Sequence, residues 1–439
     1  MNQYPTIKVL DLVHTGEAKL QTGPFGTQLK ASDYVSEGVP VINVRNVGFG
    51  DIRANKLEYL DEPMVEKLAA HKLKKGDIVF GRKGAVERHA FIGSVGDGWI
   101  QGSDCLRLRI CSERINNRFI SYYFITKSHQ DWMQALCSFG ATMASLNQDI
   151  VKLITLPLPS KDEQDKIAAI LSAYDDLIEN NKRRIALLEN MAEEIYREWF
   201  VRFRFPGYQT TPFEKGIPKE WPIKEIGSLV KFDKGLSYKG AYLSDAGSVL
   251  VNLKCFSPGG GYRLEGEKYY SGSFSERHKV EEGDIILANT DLTQDGGIIG
   301  NPEVIPEGFH DNELLISHHL CAVRLGEAFS YAKYFFYHTL KTGSFKGHAR
   351  GFANGATVLG LRTIEIERYK LLLPPDDMIS SFITNVEPIH QMANKLKKEN
   401  STLDKTKNLL LPRLISGKLS VEDLDIQFPA SMMNEAEAV

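Results

Sequence analysis

The sequence predicts an α+β chain built as two copies of one module. Each copy is a globular domain followed by a long helix, and the two helices pair antiparallel as a coiled coil with pseudo-two-fold symmetry. Three observations predict this. The stretch GATMASLNQDIVKLITLPLP (140–159) aligns without gaps on GATVLGLRTIEIERYKLLLP (355–374), an offset of 215. Each block closes on proline and is followed by a long heptad pattern. The same offset persists through both heptad runs, placing Phe382 on Ile167, Leu403 on Leu188 and Leu414 on Trp199.

The globular parts come first. KKGDIVF (74–80) resembles EEGDIIL (281–287), GVPVINV (38–44) resembles GSVLVNL (247–253), and CLRLRI (105–110) parallels CAVRL (321–325). Short β-like runs between turn-rich loops, then a helical patch (119–134 and 331–340), give each domain its α+β character. The upstream offsets of 207 to 209 mean that loops differ in length while the frame persists.

The helices come next. Ile167, Leu171, Tyr174, Ile178, Asn181, Ile185, Leu188, Ala192, Ile195 and Trp199 alternate by four and three, an apolar seam roughly 50 Å long. Ser160 with Asp162 and Glu163 suits a capped start, and Phe205-Pro206-Gly207 suits a stop. The second seam is Ile379, Phe382, Val386, Ile389, Ala393, Leu396, Asn400, Leu403, Lys407, Leu410 and Leu414. Pro388 and Pro412 should kink this helix locally, and Gly417 is a plausible stop. Each seam carries a polar asparagine, Asn181 in one and Asn400 in the other, which suits a device for fixing register. Helices this long, each with one apolar face, more simply pack on each other than each on its own domain. Beside the first seam, Leu177, Leu187, Met191, Tyr196 and Phe200 are apolar surface left over for partner helices or for the domains. The expected segments are 1–159, 160–205, 206–374, 375–419 and a flexible tail at 420–439.

Composition bounds the rest. The chain has 439 residues, 42% hydrophobic and 25% charged, as a soluble globular protein has. No apolar run approaches a membrane span, and the N-terminus lacks a secretory pattern. Five isolated cysteines without a CxxC suit reduced thiols in a cytoplasmic protein. Residues 1–160 hold 19 Lys and Arg against 16 Asp and Glu, and residues 206–374 hold 19 against 20. A chain that gripped nucleic acid alone would be more basic, so a partner would supply much of the phosphate grip.

Catalytic motifs are missing. There is no phosphate-binding GxxxxGK[ST], no GxGxxG after a strand and no HExxH. Pro258-Gly259-Gly260-Gly261 reads as a loop. His318-His319 on a strand would face opposite ways. Asp11 with Glu17 and Lys19 is spacing common by chance. Asn301-Pro302-Glu303-Val304 departs from the Asn/Asp-Pro-Pro-aromatic motif of adenine methyltransferases.

The stretch 154–207 closely resembles the central conserved region of Type I restriction–modification specificity subunits. Pro157-Leu158-Pro159 with Glu163-Gln164 and Ile167-Ala168 is its most specific signature. Pro24-Phe25-Gly26, Gly38-Val39-Pro40, Ile217-Pro218-Lys219-Glu220-Trp221 and NLLLPRLISGKL (408–419) add to the likeness. The second copy departs from it, because Pro374-Pro375-Asp376-Asp377-Met378 lacks the Glu-Gln pair.

The resemblance implies two target-recognition domains, each reading one half of a bipartite, asymmetric site on double-stranded DNA, with the helices as a ruler. It implies two methyltransferase subunits docked on the helices, using S-adenosylmethionine to methylate adenine N6. Restriction–translocase subunits using ATP and magnesium would join them, and this chain would hold no cofactor and no catalytic site. Candidate DNA contacts are Lys30, Arg45, Lys56, Arg82, Lys83, Arg88 and Gln101 in the first domain. In the second they are Lys239, Lys254, Arg263, Arg277, Asn289, Asp291 and Gln294. The runs Gly81-Arg82-Lys83-Gly84 and Asn289-Thr290-Asp291, equivalent after the repeated GD turn, are favoured. Two other readings stay open: an enzyme with its own nuclease or methyltransferase site, and a coiled-coil scaffold with no DNA role.

Overall fold

The computed structural model describes residues 4–138, 144–257, 259–429 and 431–432. Gly140, heading the first repeat block, and Pro258, in the glycine-rich run, lie outside the described residues. The chain divides into two compact units, Met1–Glu179 with Ser401–Val439, and Asn180–Asn400. The division cuts both long helices, Lys161–Tyr196 and Asp376–Ile415. Each unit is therefore one globular domain with part of each helix.

In the first unit a four-stranded antiparallel sheet has the order Ala18–Thr22, Cys105–Ile110, Ile78–Gly81, His89–Phe91. Leu106, Leu108 and Ile110 alternate onto one face and enter the main core with Val9, Leu12 and Phe119. A three-stranded sheet of Glu58–Leu60, Val39–Ile42 and Ile100–Gln101 contains a parallel pair, Val41 opposite Ile100.

The second unit repeats both sheets. Its four strands are Val230–Lys234, Leu320–Leu325, Ile285–Ala288 and Pro302–Val304 in the same order. Its second sheet keeps Lys268–Tyr270, Ser248–Val251 and Leu314–Ile316, again with a parallel pair, and adds a short strand at each edge.

The repeated GD turn has one physical cause in both units. Gly76 and Gly283 take positive φ, +91° and +87°. The following Asp then caps the turn: Asp77 accepts from the Lys74 amide at 2.8 Å, and Asp284 from the Glu281 amide at 3.0 Å. An arginine from the central strand clamps each carboxylate, Arg109 on Asp77 with two bonds of 2.6 Å and Arg324 on Asp284 at 3.0 Å. Glycine, aspartate and arginine together aim the buried strand that follows.

Where one helical patch per domain was expected, each domain has two helices. They are Asn117–Ile125 with Lys127–Ser138, and Lys333–Lys341 with Gly343–Phe352. A threonine in extended conformation divides each pair. The Thr126 hydroxyl donates to the Tyr123 carbonyl and that of Thr342 to the Thr339 carbonyl, both at 2.7 Å, ending the first helix by satisfying a terminal acceptor.

The first long helix begins with a capping box: the Ser160 hydroxyl accepts from the Glu163 amide, and the Glu163 carboxylate accepts from the Ser160 amide. Gln164 is fully buried and bolts the helix start to the domain, donating to the Pro159 and Arg114 carbonyls and accepting from the Asn116 amide. The Glu-Gln signature is thus a structural joint. The helix closes with a π turn, Arg197–Val201. The second helix runs through Pro388 and Pro412 without ending, since each proline deletes only one amide donor.

Within each unit the helix segments are antiparallel. In the first, Ile167 and Leu171 are buried with Leu411, Leu414 and Ile415, and Lys407 reaches Asp175 at 2.8 Å. Tyr174, Ile178, Leu403 and Leu410 are half-buried beside them. In the second, Ala192 is buried with Ile379, Phe382 and Val386, Lys397 reaches Glu189 at 2.7 Å, and Asn181 donates to Asn400 at 3.0 Å. Ile185, Leu188, Ile195, Trp199 and Ile389 line that seam half-buried, and Leu396 is buried.

The joint between domain and helix differs between the copies. Asp175 accepts from Arg118 at 3.0 Å and from the Tyr122 hydroxyl at 2.6 Å. At the place 215 residues on stands His390, stacked on Tyr334 at 4.0 Å and 3.0 Å from His338.

Two expectations need correction. Tyr196 and Phe200 are not leftover surface: both are buried against Phe335 and Phe382 of their own unit, and the Tyr196 hydroxyl meets Thr339 at 2.9 Å. The described part of the 420–439 segment is not free of the core either. Val421 is fully buried, Met432 packs on the same core, and Lys166 donates to the Glu422 carbonyl. Apolar side chains at these places gain more from burial than an extended tail would keep in entropy.

Candidate nucleic-acid interface

In the first unit two loops bring the cations together. The strap Gly81-Arg82-Lys83-Gly84 is tied on both sides: the Arg82 amide donates to Asp104, and its carbonyl accepts from Leu146, both at 2.8 Å. Lys83 is exposed and pairs with Asp104 at 3.1 Å. Arg82 is half-buried, with its Nε unpartnered among the described residues. The neighbouring loop, 43–53, is held against this strap because the Gly50 amide donates to His89 at 2.8 Å.

That packing brings Arg53 and Arg88 to one aromatic ring. Arg88 lies 5.2 Å and Arg53 6.0 Å from the centroid of the Phe49 ring, which is partly exposed. Arg45 pairs with Glu58 at 2.7 Å. Arg53 escaped the sequence reading. Its signal was the Gly-Phe-Gly-Asp turn at 48–51, which returns the chain beside Arg45. Lys30 and Lys56 are exposed on other loops of this unit, Lys56 at a positive φ of 53°.

Gln101 is a correction. It is 0% exposed and donates to the Gln21 and Cys105 carbonyls, at 2.8 and 3.1 Å, bracing the central strand. Burial inside the sheet leaves it no path to a base.

The second unit requires the same correction twice. Asn289 is 3% exposed, with its amide on the His319 carbonyl and its side chain on the Cys321 sulfur. Asp291 is 2% exposed and accepts from the Thr293 amide and hydroxyl and the Ile298 amide, at 2.8 to 2.9 Å. Burial opposes its ionisation, but these donors together hold its carboxyl below the usual range. Both residues build the loop and do not form its reading surface.

The loop they build is the larger difference between the copies. Residues 289–301 separate the strands in the second unit, where 82–88 do so in the first. Its tip is exposed, with Leu292 62% exposed and Gln294 donating to Ala356 at 3.0 Å. Lys239, Lys254, Arg263 and Arg277 are exposed on neighbouring loops of this unit. Arg263 pairs with Glu265 at 2.9 Å.

His318 and His319 follow the strand Leu314–Ile316, with ring centroids 3.8 Å apart. Burial lowers the pKa of both, with nearby Lys234 adding to the effect. Among the described residues, no group of three His, Cys, Asp or Glu is placed to hold a metal, and no helix is long and apolar enough to cross a membrane. All five cysteines are free thiols, and only Cys111 is exposed.

Comparison with known proteins agrees with this arrangement. Residues 27–190 match the family model described as the Type I restriction modification DNA specificity domain. The MjaIX specificity subunit of Methanocaldococcus jannaschii is 26% identical over 324 residues, 72% of each chain. The HindI specificity subunit of Haemophilus influenzae is 25% identical over 166 residues, 37% of this chain and 36% of that one. The crystal structure of a Type I system S subunit from M. genitalium shares the fold at a TM-score of 0.55, with 16% identity, over 94% of this chain and 96% of that one. Residues 27–190 thus match a Type I restriction modification DNA specificity domain, and along most of its length the chain is similar to specificity subunits of Type I restriction enzymes.

Proposed function

We propose that this chain reads a bipartite, asymmetric site on double-stranded DNA, one half-site per domain, and that it does so without catalysis of its own. One observation carries the reading. The two domains share sheet order, parallel pair and clamped GD turn, yet differ in the loop that follows that turn. A common frame with unlike loops suits two unlike half-sites. In the first domain, Arg82 and Lys83 are the candidate readers. In the second, the exposed tip at 292–295 takes that role, with Gln294 the candidate among the residues first nominated.

The antiparallel helices then act as the ruler for the unspecified spacer. Leu177, Leu187 and Met191 stay exposed on the first helix, which supports a docking role for methyltransferase subunits. Those subunits would supply S-adenosylmethionine and methylate adenine N6, and restriction subunits would bring ATP and magnesium. Domain limits at 1–159 and 206–374, with helices at 160–205 and 375–419, belong to the same proposal.

The test is to co-express the chain with its neighbouring genes and map N6-methyladenine across the host genome. The expected result is one bipartite motif with a fixed gap. Methylation that is absent, or lacks a gapped motif, overturns the reading. Activity from the purified chain alone, given magnesium or S-adenosylmethionine, would favour an enzyme instead.

A further inference from the structure

The two domains repeat certain surface cations without repeating their ion partners. Lys30 and Lys239 each stand just before a 3-10 turn, Ala31–Asp33 and Gly240–Tyr242. Arg45 and Lys254 are each the middle residue of the 3-10 turn that follows the parallel-paired strand, Val44–Asn46 and Leu253–Cys255. Arg53 and Arg263 occupy one further shared position: the Arg53 amide donates to Asn46 and the Arg263 amide to Cys255, both at 2.8 Å. A bridge lies just before each, Val47 with Ile52 and Phe256 with Tyr262.

An internal ion pair behaves differently. Arg109 with Asp77 returns whole as Arg324 with Asp284. Arg45 pairs with Glu58 on the strand Glu58–Leu60, but the matching strand Lys268–Tyr270 carries Lys268 at that place. Stabilisation of the fold explains a repeated pair. It does not explain a repeated cation whose carboxylate partner in one copy is replaced by Lys268 in the other. Five of the six cations are exposed, and Arg53 is half-buried by the Phe49 ring.

Resting on the proposed reading of DNA, we infer that Lys30 with Lys239, Arg45 with Lys254 and Arg53 with Arg263 form a duplicated grip on backbone phosphates. Two unlike half-sites share only their phosphodiester backbone, so a feature common to both readers suits phosphate. Base choice falls to what differs, Arg82 and Lys83 in one domain and the 292–295 tip in the other. Phosphate contacts set register and salt dependence and carry no sequence information directly.

The test uses the chain assembled with its methyltransferase partners. Binding is titrated across salt on a duplex bearing the mapped motif and on a scrambled duplex. Each cation pair is changed to glutamine, as in Lys30→Gln with Lys239→Gln, and a thermal melt checks folding. Lys254→Arg with Arg45→Lys serves as the charge-keeping control. Each neutralised pair should weaken both duplexes by the same factor. It should lower the slope of log K against log salt by roughly 2, about 0.9 per phosphate, with the methylated motif unchanged. An unchanged slope, a loss confined to the mapped motif, or a changed motif overturns the inference while leaving the proposed function standing. A wild-type assembly that binds neither duplex overturns both.

Discussion

The Asn181–Asn400 pair offers a sharp test of how the helices keep register. Asn181 is 6% exposed and donates to the Asn400 side chain at 3.0 Å, in a seam built mostly from apolar residues. Asn181→Leu takes the donor from Asn400 Oδ1 and places an apolar side chain beside it. Losing this part-buried hydrogen bond costs about 1–2 kcal/mol. Changing both residues, Asn181→Leu with Asn400→Leu, removes both halves of the pair and adds apolar burial, so the double variant should unfold near wild type or above it. With both single variants costing about 1–2 kcal/mol and the double near zero, the cycle shows a coupling of about 2–4 kcal/mol. Urea titration followed by helical ellipticity measures this as midpoint shifts at constant m. In the assembled complex the double variant should also methylate sites with more than one gap length, because a purely apolar seam fixes register less strictly. Single variants that cost nothing, or a double variant that costs the sum of both, would refute the reasoning.

Three more outcomes are expected. Arg82→Ala and Lys83→Ala should each weaken binding to the methylated motif, by about 1–3 kcal/mol for a residue that reads a base, with an unchanged melting temperature; unaltered affinity in both removes the strap from the readout. Inserting about seven residues, two helical turns, into both long helices should lengthen the gap in the methylated motif, and an unchanged gap would contradict the ruler. Acid should destabilise both units. Burial pushes His89, His129 and His390 down to about 3 and His338 well below its usual range, so they stay neutral in the fold and charge on unfolding. Their contribution is full above about pH 6.5 and falls as pH drops from there towards 3. Each histidine gives up about 1.4 kcal/mol per pH unit at most, and a melting temperature flat from pH 7 to 5 would count against it.

Much of the frame was legible in the sequence because it rests on periodicity and on turn chemistry. Heptads give the helices, and glycine followed by aspartate gives the turn that an arginine of the central strand then clamps. The reading surface was less legible. Asn289, Asp291 and Gln101 are residue types that recognise bases, but the same amides and carboxylates also satisfy backbone groups inside a loop or sheet. Asp291 with Thr293 two residues on is the local sign of that second use. Tyr196 and Phe200 looked spare because a seam accounts for one helix face only, whereas the Lys333–Lys341 helix covers another. Thr126 and Thr342 ended helices at places where apolar periodicity alone continued.

The division of the chain also sets an order of assembly during synthesis. Residues 180–400 are contiguous and can close their core as they leave the ribosome. The core of residues 1–179 is completed only when Leu411, Leu414, Ile415 and Val421 join it around Ile167 and Leu171. Those four emerge about 240 residues later, roughly 10–50 s at about 5–20 residues per second. Until then the part of that core around Ile167 and Leu171 stays uncovered. Protease resistance in a pulse-chase should appear first in the middle of the chain and last at its beginning.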